Sequence, residues 1–299
     1  MKLIKSSFEI LEQPTGEEGM YKQIEKVGRV CWKSENKITE DSYKKFIEML
    51  KNKQHFSVLE HGTVYLHICN DYWSLVEKYT NNKYSKVKSV LHGTHDPNCY
   101  GDDFDAFITT NYRVLVENDW LEDLKYLCEP TKYHEKRITV KFTMDRIGSQ
   151  SFCRHRVFSF AQESTRYCNY SKDKFGNELT FIIPSWLDLK AGSYSIDDVE
   201  EPYDRCLIID RCTNEEEAAF VRSLCYTEKE YLHLIQLGWT SQQARQVLTN
   251  ALKTELVMTG FVSDWKHFFK LRDDKDHAHP DAYILAHPLH EEFIKRNLI

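Results

Sequence analysis

Two hydrophobic periods divide the chain. Over residues 39–53, Tyr43, Phe46, Ile47 and Leu50 recur at helical spacing, with Glu40 and Asp41 where a first turn favours negative charge, so the pattern predicts a helix. Over residues 62–68 the period falls to two: Val64, Leu66 and Ile68 alternate with Thr63, Tyr65 and His67. A second alternation covers residues 137–144, where Ile138, Val140, Phe142 and Met144 interleave with Arg137, Thr139, Lys141 and Thr143. These two strands are expected to share one sheet. Between them lies an insert of about residues 70–135. Within it Asn81-Asn82 and residues 95–103 read as loops, residues 106–110 as a short strand, and residues 111–126 as a helix with Val114, Leu115, Trp120, Leu121 and Leu124 on its apolar side.

Further on, the apolar run 179–183 is stopped by Pro184, and residues 191–204 read as an acidic surface loop. The C-terminal third reads as helical. Asn214 is placed to cap a helix with Glu215, Glu216 and Glu217 in its first turn and Gly238 at its end. Thr240 and Gln243 fit a capping box for a helix with the apolar stripe Ala244, Val247, Leu248 and Ala251. Further helices are expected over about residues 256–271 and 281–295. A sheet followed by segregated helices is an α+β arrangement, not alternating βαβ. The expectation is one domain over residues 1–299, a central antiparallel sheet flanked by helices, with the insert after the first sheet strand.

Composition removes several function classes. A net charge of −6 argues against a nucleic-acid binder working by bulk electrostatics, so basic character must be local. The nine cysteines are odd in number and form no CxxC pair, which disfavours a zinc ribbon, a thioredoxin-like motif or a disulfide framework. No run approaches the ~18 apolar residues of a membrane span, and the first residues lack a signal-peptide core. A cytoplasmic protein with no membrane or nucleic-acid partner is expected. Neither GxGxxG nor GxxxxGK[ST] occurs, so a nucleotide or flavin would be held by side chains and helix ends. No GxSxG elbow is present. His277 and His279 lack completing ligands, so no metal is expected.

The local basic character sits in Arg154-His155-Arg156-Val157-Phe158-Ser159-Phe160-Ala161-Gln162-Glu163-Ser164-Thr165-Arg166-Tyr167. Arginine presents a rigid, always-charged fork matched to phosphate oxygens, and the hydroxyls and amide beside it suit the remaining polar edges of a ligand.

This segment resembles the signature of flavin-dependent thymidylate synthases, the ThyX family: RHR, two residues, Ser, one residue, an Asn-Glu pair, then an ending of the S-x-R-Y type. Two other blocks agree in order. Leu59-Glu60-His61-Gly62-Thr63 resembles the family's E-H-x-T/S element. Ala244-Arg245-Gln246-Val247-Leu248 and Phe268-Phe269-Lys270-Leu271-Arg272 resemble its C-terminal A-R-x-x-L and F-x-x-L-R elements. The resemblance runs from about Ile24 to His290 and leaves the insert outside the minimal pattern.

The resemblance implies synthesis of dTMP from dUMP, with 5,10-methylenetetrahydrofolate as carbon donor and FAD reduced by NADPH as hydride source. It implies no cysteine nucleophile and a homotetramer whose active sites are shared between subunits. Arg272 matches the catalytic arginine that binds the uracil edge and favours its N3-deprotonated form. Arg245, Arg166 and Ser164, with the backbone around Glu163 and Thr165, match the dUMP cradle, to which Arg154, Gln162 and one of Gln150 and Ser151 add contacts. His61, Thr63, Arg154, His155, Arg156 and Gln162 match FAD contacts, and Cys31 stands where some members place a serine near FAD. Ala161-Gln162 replaces the usual Asn-Glu. The flavin-contacting Asn and Arg of some members align with Phe261, Ser263 and His267, of which His267 keeps a polar group. The other readings are a flavin-dependent NADPH oxidase lacking methyl transfer, and a non-catalytic nucleotide- or RNA-binding module.

Overall fold

A computed structural model of the chain describes residues 1–69, 73–91, 104–195, 212 and 214–299. Strands β1 (Lys2–Ile4) and β2 (Ser7–Leu11) precede helix α1 (Gly16–Trp32), then α2 (Ser42–Asn52), the single turn α3 (Phe56–Leu59) and β3 (Thr63–Cys69). The insert contributes α4 (Trp73–Thr80), β4 (Lys86–Leu91), β5 (Phe104–Asn111) and α5 (Tyr112–Glu117). The chain continues through β6 (Arg137–Asp145), α6 (Arg146–Phe152), β7 (Ser159–Gln162), β8 (Thr180–Ile182) and β9 (Gly192–Ser193). It ends in α7 (Glu215–Gln236), α8 (Ser241–Ala244), β10 (Lys253–Phe261), α9 (Val262–Arg272) and α10 (Pro280–Lys295).

The α+β class holds, but the strands among the described residues form three sheets. The largest is antiparallel, in the order β2-β6-β10-β7. One face, with Val140, Phe142, Met144, Leu256 and Met258, packs against Trp265, Phe268, Leu285, Leu289 and Phe293 of α9 and α10. On its other face Val257 and Ala161 meet Leu11 and the α1 residues Val27 and Val30. A second sheet, β3-β5-β4, closes over α1 and α2, and a small third, β8-β1-β9, lies against α7.

The two alternating strands therefore do not share a sheet. One edge of β3 pairs with β5 from Thr63↔Asn111 to Cys69↔Asp105, and Leu66 and Tyr65 also bond residues Leu127 and Cys128. With both edges engaged, β3 has no ladder left for β6. The sheets meet instead where the Arg137 amide donates to the Tyr65 hydroxyl at 3.3 Å.

Three helical expectations are corrected. Residues 111–126 are not one helix: Asn111 caps α5 through the Val114 amide, but Asp119 takes φ +59, and a 3-10 segment (Leu121–Tyr126) follows. The Thr240–Gln243 capping box is present, yet it opens only the one-turn α8 and a 3-10 turn, Arg245–Val247. Residues 256–271 split into the end of β10 and all of α9. Because β10 is buried on both faces, it carries no polar side to mark a period of two. The helix over 39–53 appears as α2, the apolar run 179–183 as β8, Asn214 caps α7 through the Glu217 amide, and Gly238 follows its end at φ +93. The loop over 95–103 and most of that over 191–204 lie outside the described residues. Among the described residues, no helix is long and apolar enough to cross a membrane.

Candidate active site

Strand β6 ends in a cap. The Asp145 carboxylate accepts the Gly148 amide at 2.6 Å and starts α6, which separates the strand from the arginine-rich turn. That turn is pinned by Phe158, whose ring lies 4.7 Å from Trp265 and directly over Gly260. A Cβ at position 260 would stand 2.5 Å from the Phe158 ring, so glycine is what lets the turn approach β10. His155 is buried, its ring 5.0 Å from that of Phe268 and 6.4 Å from that of Phe158, while Arg154 and Arg156 on either side are exposed.

His155 meets the C-terminal end of α9. Arg272 donates from Nε to His155 Nε2 at 3.0 Å and from Nη2 to the Ser151 carbonyl at 3.0 Å. Accepting at Nε2 requires a neutral imidazole. Burial, reinforced by the Arg272 charge and the neighbouring His267, lowers the His155 pKa to about 4, so the acceptor form prevails at neutral pH. Burial and then Arg154 lower that of Arg272. The Arg272 Nη1 has no protein partner among the described residues, which leaves one edge of a fixed fork for a ligand. Arg154, His155, Ser151, His267 and Arg272 thus form one cluster; Ser151 offers it a carbonyl, and its hydroxyl donates to Gly148 at 2.7 Å.

A second cluster surrounds His61, which is fully buried. Its Nδ1 lies 2.7 Å from Thr259 Oγ1, and Thr259 is 2.8 Å from Thr139 Oγ1. Burial, then the neighbouring Arg137, lowers the His61 pKa to about 3. Thr63 is fixed by a two-way exchange with Gln13, at 2.8 Å in each direction. Arg137 ties this cluster to the signature: it donates to the Glu60 carbonyl at 2.9 Å, Thr63 Oγ1 at 3.5 Å and Ser159 Oγ at 3.2 Å.

The third group follows β7. Gln162 donates to Ser149 Oγ at 2.8 Å and Thr254 Oγ1 at 3.2 Å. Glu163 is turned into the protein, held by Lys253 at 2.7 Å and the Tyr170 hydroxyl at 3.2 Å. Its amide donates to the Glu255 carbonyl and that of Ser164 to the Cys31 carbonyl, so these two amides are spent on the fold and a phosphate would fall to side chains. Thr165 is buried, while Arg166 is exposed and bonds Gln242 at 3.1 Å. Arg245 is half-buried in the turn after α8. Cys31 and Ser164 line a groove of about 470 Å³ with Trp32, His55, Arg113 and Tyr167. Burial pushes the Cys31 thiol up to about 11, which leaves little thiolate there.

The predicted residues do not line one cavity. Thr63 faces a separate one of about 690 Å³, together with Gln13, Tyr65, Lys136 and Arg137. Sequence reasoning passed over Arg137; its only signal was an arginine among the polar positions of a strand.

Charge pairing separates this region from the rest. Arg29 pairs with Glu25, Arg113 with Glu60 and Glu117, Arg222 with Glu215, and Arg296 with Glu12 and Glu292. Among the described residues, Arg137, Arg146, Arg154, Arg156, Arg166, Arg245 and Arg272 have no carboxylate partner, and all lie in or beside the predicted site. In a chain of net charge −6 this is a concentrated demand for anions.

The family model for thymidylate synthase complementing protein matches residues 132–296, more than half of the 299-residue chain. The chain belongs to that family. The matched part runs from the approach to β6 to the end of α10; it contains the whole arginine-rich signature, Arg245 and Arg272, and leaves His61, Thr63, Cys31 and almost all of the insert outside. Among curated family relatives, the flavin-dependent thymidylate synthase of Pyrococcus furiosus is 28% identical over 171 residues, 55% of this chain and 59% of that protein. That of Pyrococcus abyssi is 27% identical over 127 residues, 42% of each, and that of Mycobacterium avium 27% identical over 147 residues, 48% of this chain and 51% of that protein. The chain thus spans about half the length of the curated relatives it matches. A solved structure of the UMP/dUMP methylase PolB from Streptomyces cacaoi, bound with 5-Br dUMP, aligns over 99% of this chain and 93% of that one, with 16% identity and a TM-score of 0.43.

Proposed function

We propose that this protein makes dTMP from dUMP by reductive methylation, with 5,10-methylenetetrahydrofolate as carbon donor and FAD reduced by NADPH. The observation that carries the reading is the Arg272–His155 bond, which fixes a cation with one free donor edge among arginines that lack carboxylate partners. An unpaired arginine set suits two phosphate-bearing ligands, so the donors present fit both FAD and dUMP. Arg154, His155 and Arg156, with His61, Thr63 and His267, would hold the flavin, as would Cys31, which lines a groove with Ser164, and Gln162, which donates to Ser149. Arg166, Arg245, Ser164 and Thr165 would hold the nucleotide. Bound FAD supplies the hydride.

Arg272 carries the chain's own contribution to the chemistry. A positive charge held at the uracil edge stabilises the N3-deprotonated ring, whose greater electron density activates C5. His155 and the Ser151 carbonyl hold the guanidinium in that orientation before substrate arrives, so no reorganisation is needed during reaction.

The division of the residues among separate openings supports an active site completed by further copies of the chain, as a homotetramer would provide. Val157 is 64% exposed, Tyr167 56% and Leu271 47%, so apolar surface borders the arginines where a neighbouring subunit would cover it. The deciding experiment is dTMP formation by the purified protein with FAD, NADPH, dUMP and the folate, alongside tritium release from 5-labelled dUMP. Product and tritium release together are expected. NADPH oxidation without tritium release would instead mark a flavin oxidase, and no flavin binding at all would remove the enzyme reading.

A further inference from the structure

Arg137 begins β6, directly opposite Phe261 in the β6–β10 register, and its guanidinium lies 5.6 Å from the Phe261 ring. Only 9% of its surface is exposed. Among the described residues, the hydrogen-bond partners of its guanidinium are all neutral: the Glu60 carbonyl, Thr63 Oγ1 and Ser159 Oγ. The carboxylates of Glu60 and Asp264 act on it only at longer range, and Glu60 is itself paired with Arg113 at 2.6 Å. A buried cation without a counter-anion is costly, and proteins retain one where something else neutralises it.

Arg137 faces the cavity of about 690 Å³. Of the other charged groups on that wall, Arg296 and Glu12 pair at 2.8 Å, while Lys136 and Glu129 are opposite in sign. The wall therefore carries one net positive charge, and Arg137 is its buried cation with no carboxylate partner among the described residues. The partners Thr63 and Ser159 belong to the E-H-x-T and arginine-rich blocks, so the cation is fixed to the predicted flavin-side residues. Phe261 and Ser263 align, by the resemblance drawn from the sequence, with polar flavin contacts of some family members, and Arg137 is the cross-strand neighbour of Phe261.

We propose that Arg137 is the receptor for a phosphate oxyanion in this cavity, placing on β6 a positive charge that the Phe261–Ser263 segment lacks. The ligand class is a nucleotide phosphate. The pyrophosphate of FAD is favoured over the dUMP monophosphate, because Arg137 is bonded to Thr63 and lies beside His61. This choice of ligand rests on the function proposed above; the oxyanion site itself does not.

The test compares the full-length wild type with Arg137→Gln and Arg137→Lys. Four probes are titrated: FAD and riboflavin by flavin fluorescence, and dUMP and inorganic pyrophosphate by calorimetry. The unfolding midpoint without ligand is recorded for each protein. The expected result is at least a tenfold loss of FAD and pyrophosphate affinity in Arg137→Gln, unchanged riboflavin affinity and an undiminished midpoint. Arg137→Lys should retain part of the affinity, since it keeps the charge without the fork. Loss confined to dUMP and pyrophosphate would keep the oxyanion site but assign it to the substrate. Unchanged affinity for every phosphorylated probe, or a lowered midpoint as the sole effect, would overturn the proposal in favour of a structural arginine. Wild type that binds pyrophosphate but no FAD, with the pyrophosphate affinity lost in Arg137→Gln, would uphold Arg137 as an oxyanion site and defeat the flavin enzyme; binding of neither defeats both.

Discussion

Arg272 and His155 fix one another across 117 residues of sequence: the arginine Nε–H is aimed at the unprotonated Nε2 of the imidazole, 3.0 Å away. The signature and the end of α9 therefore act as one unit. Arg272→Ala removes both the cation and the donor to His155, and dTMP formation is expected to fall by about 10²–10³-fold, the loss typical when one preorganised charge stabiliser is deleted. Arg272→Lys should recover little, because an ammonium cannot serve His155, the Ser151 carbonyl and a ligand from three fixed directions. Activity in Arg272→Ala within a few-fold of wild type would remove this residue from the chemistry.

The same pair sets an acid limit. His155 is held at about 4 and His61 at about 3, both below the ordinary 6.5, so the unfolded chain binds protons at these positions before the folded one does. Stability contributed by the two neutral imidazoles is complete above about pH 6.5 and declines as the pH falls towards 4. Unfolding midpoints taken from pH 7 to pH 4 should drop across that window, and His155→Gln, which can accept from Arg272 without titrating, should flatten part of the decline. An identical slope in that variant would mean His155 does not contribute.

Gly260 predicts a purely steric phenotype. A methyl there meets the Phe158 ring at 2.5 Å, and that ring is enclosed by Trp265 and Phe268. Gly260→Ala is expected to cost about 1–3 kcal/mol in urea unfolding, as overpacking of a filled core does. It should also weaken FAD and dUMP binding, because the turn carrying Arg154 and Arg156 moves with Phe158. Gly260→Ala with Phe158→Leu should regain part of both.

Some of this was legible in the residue pattern. The alternation over 137–144 is visible because one face of β6 carries Thr139, Lys141 and Thr143 among less apolar surroundings, and α7 announces itself through Asn214 and three glutamates. The signature, Arg245 and Arg272 were legible through resemblance to the family's motifs, each of which is contiguous in the chain. By contrast, β10 reads as helix because Leu256, Val257 and Met258 are all fully buried between two layers, which erases the period of two. The partition into three sheets depends on residues 127–128 taking the outer edge of β3, a pairing no local pattern encodes. Arg137 was invisible as a site residue for a related reason. What distinguishes it is the lack of a carboxylate partner, which only the assembled fold reveals.

Glu163 is the signature residue whose side chain serves the fold. It is 1% exposed and bonded to Lys253, which also meets Glu255 at 3.1 Å, while Glu255 is held from the other side by Lys33 at 2.9 Å. Lys253→Met leaves Glu255 its second cation but strips Glu163 of the only one it has among the described residues, keeping just the Tyr170 hydroxyl. A buried charge deprived of its partner typically costs about 3–5 kcal/mol, so the variant should lose that much in urea unfolding. Adding Glu163→Gln removes the orphaned charge while retaining an acceptor for Tyr170, and the double variant should recover most of the loss. If Lys253→Met alone lies within about 1 kcal/mol of wild type, as for an exposed ion pair, the pair is marginal and Glu163 is free to turn towards a ligand.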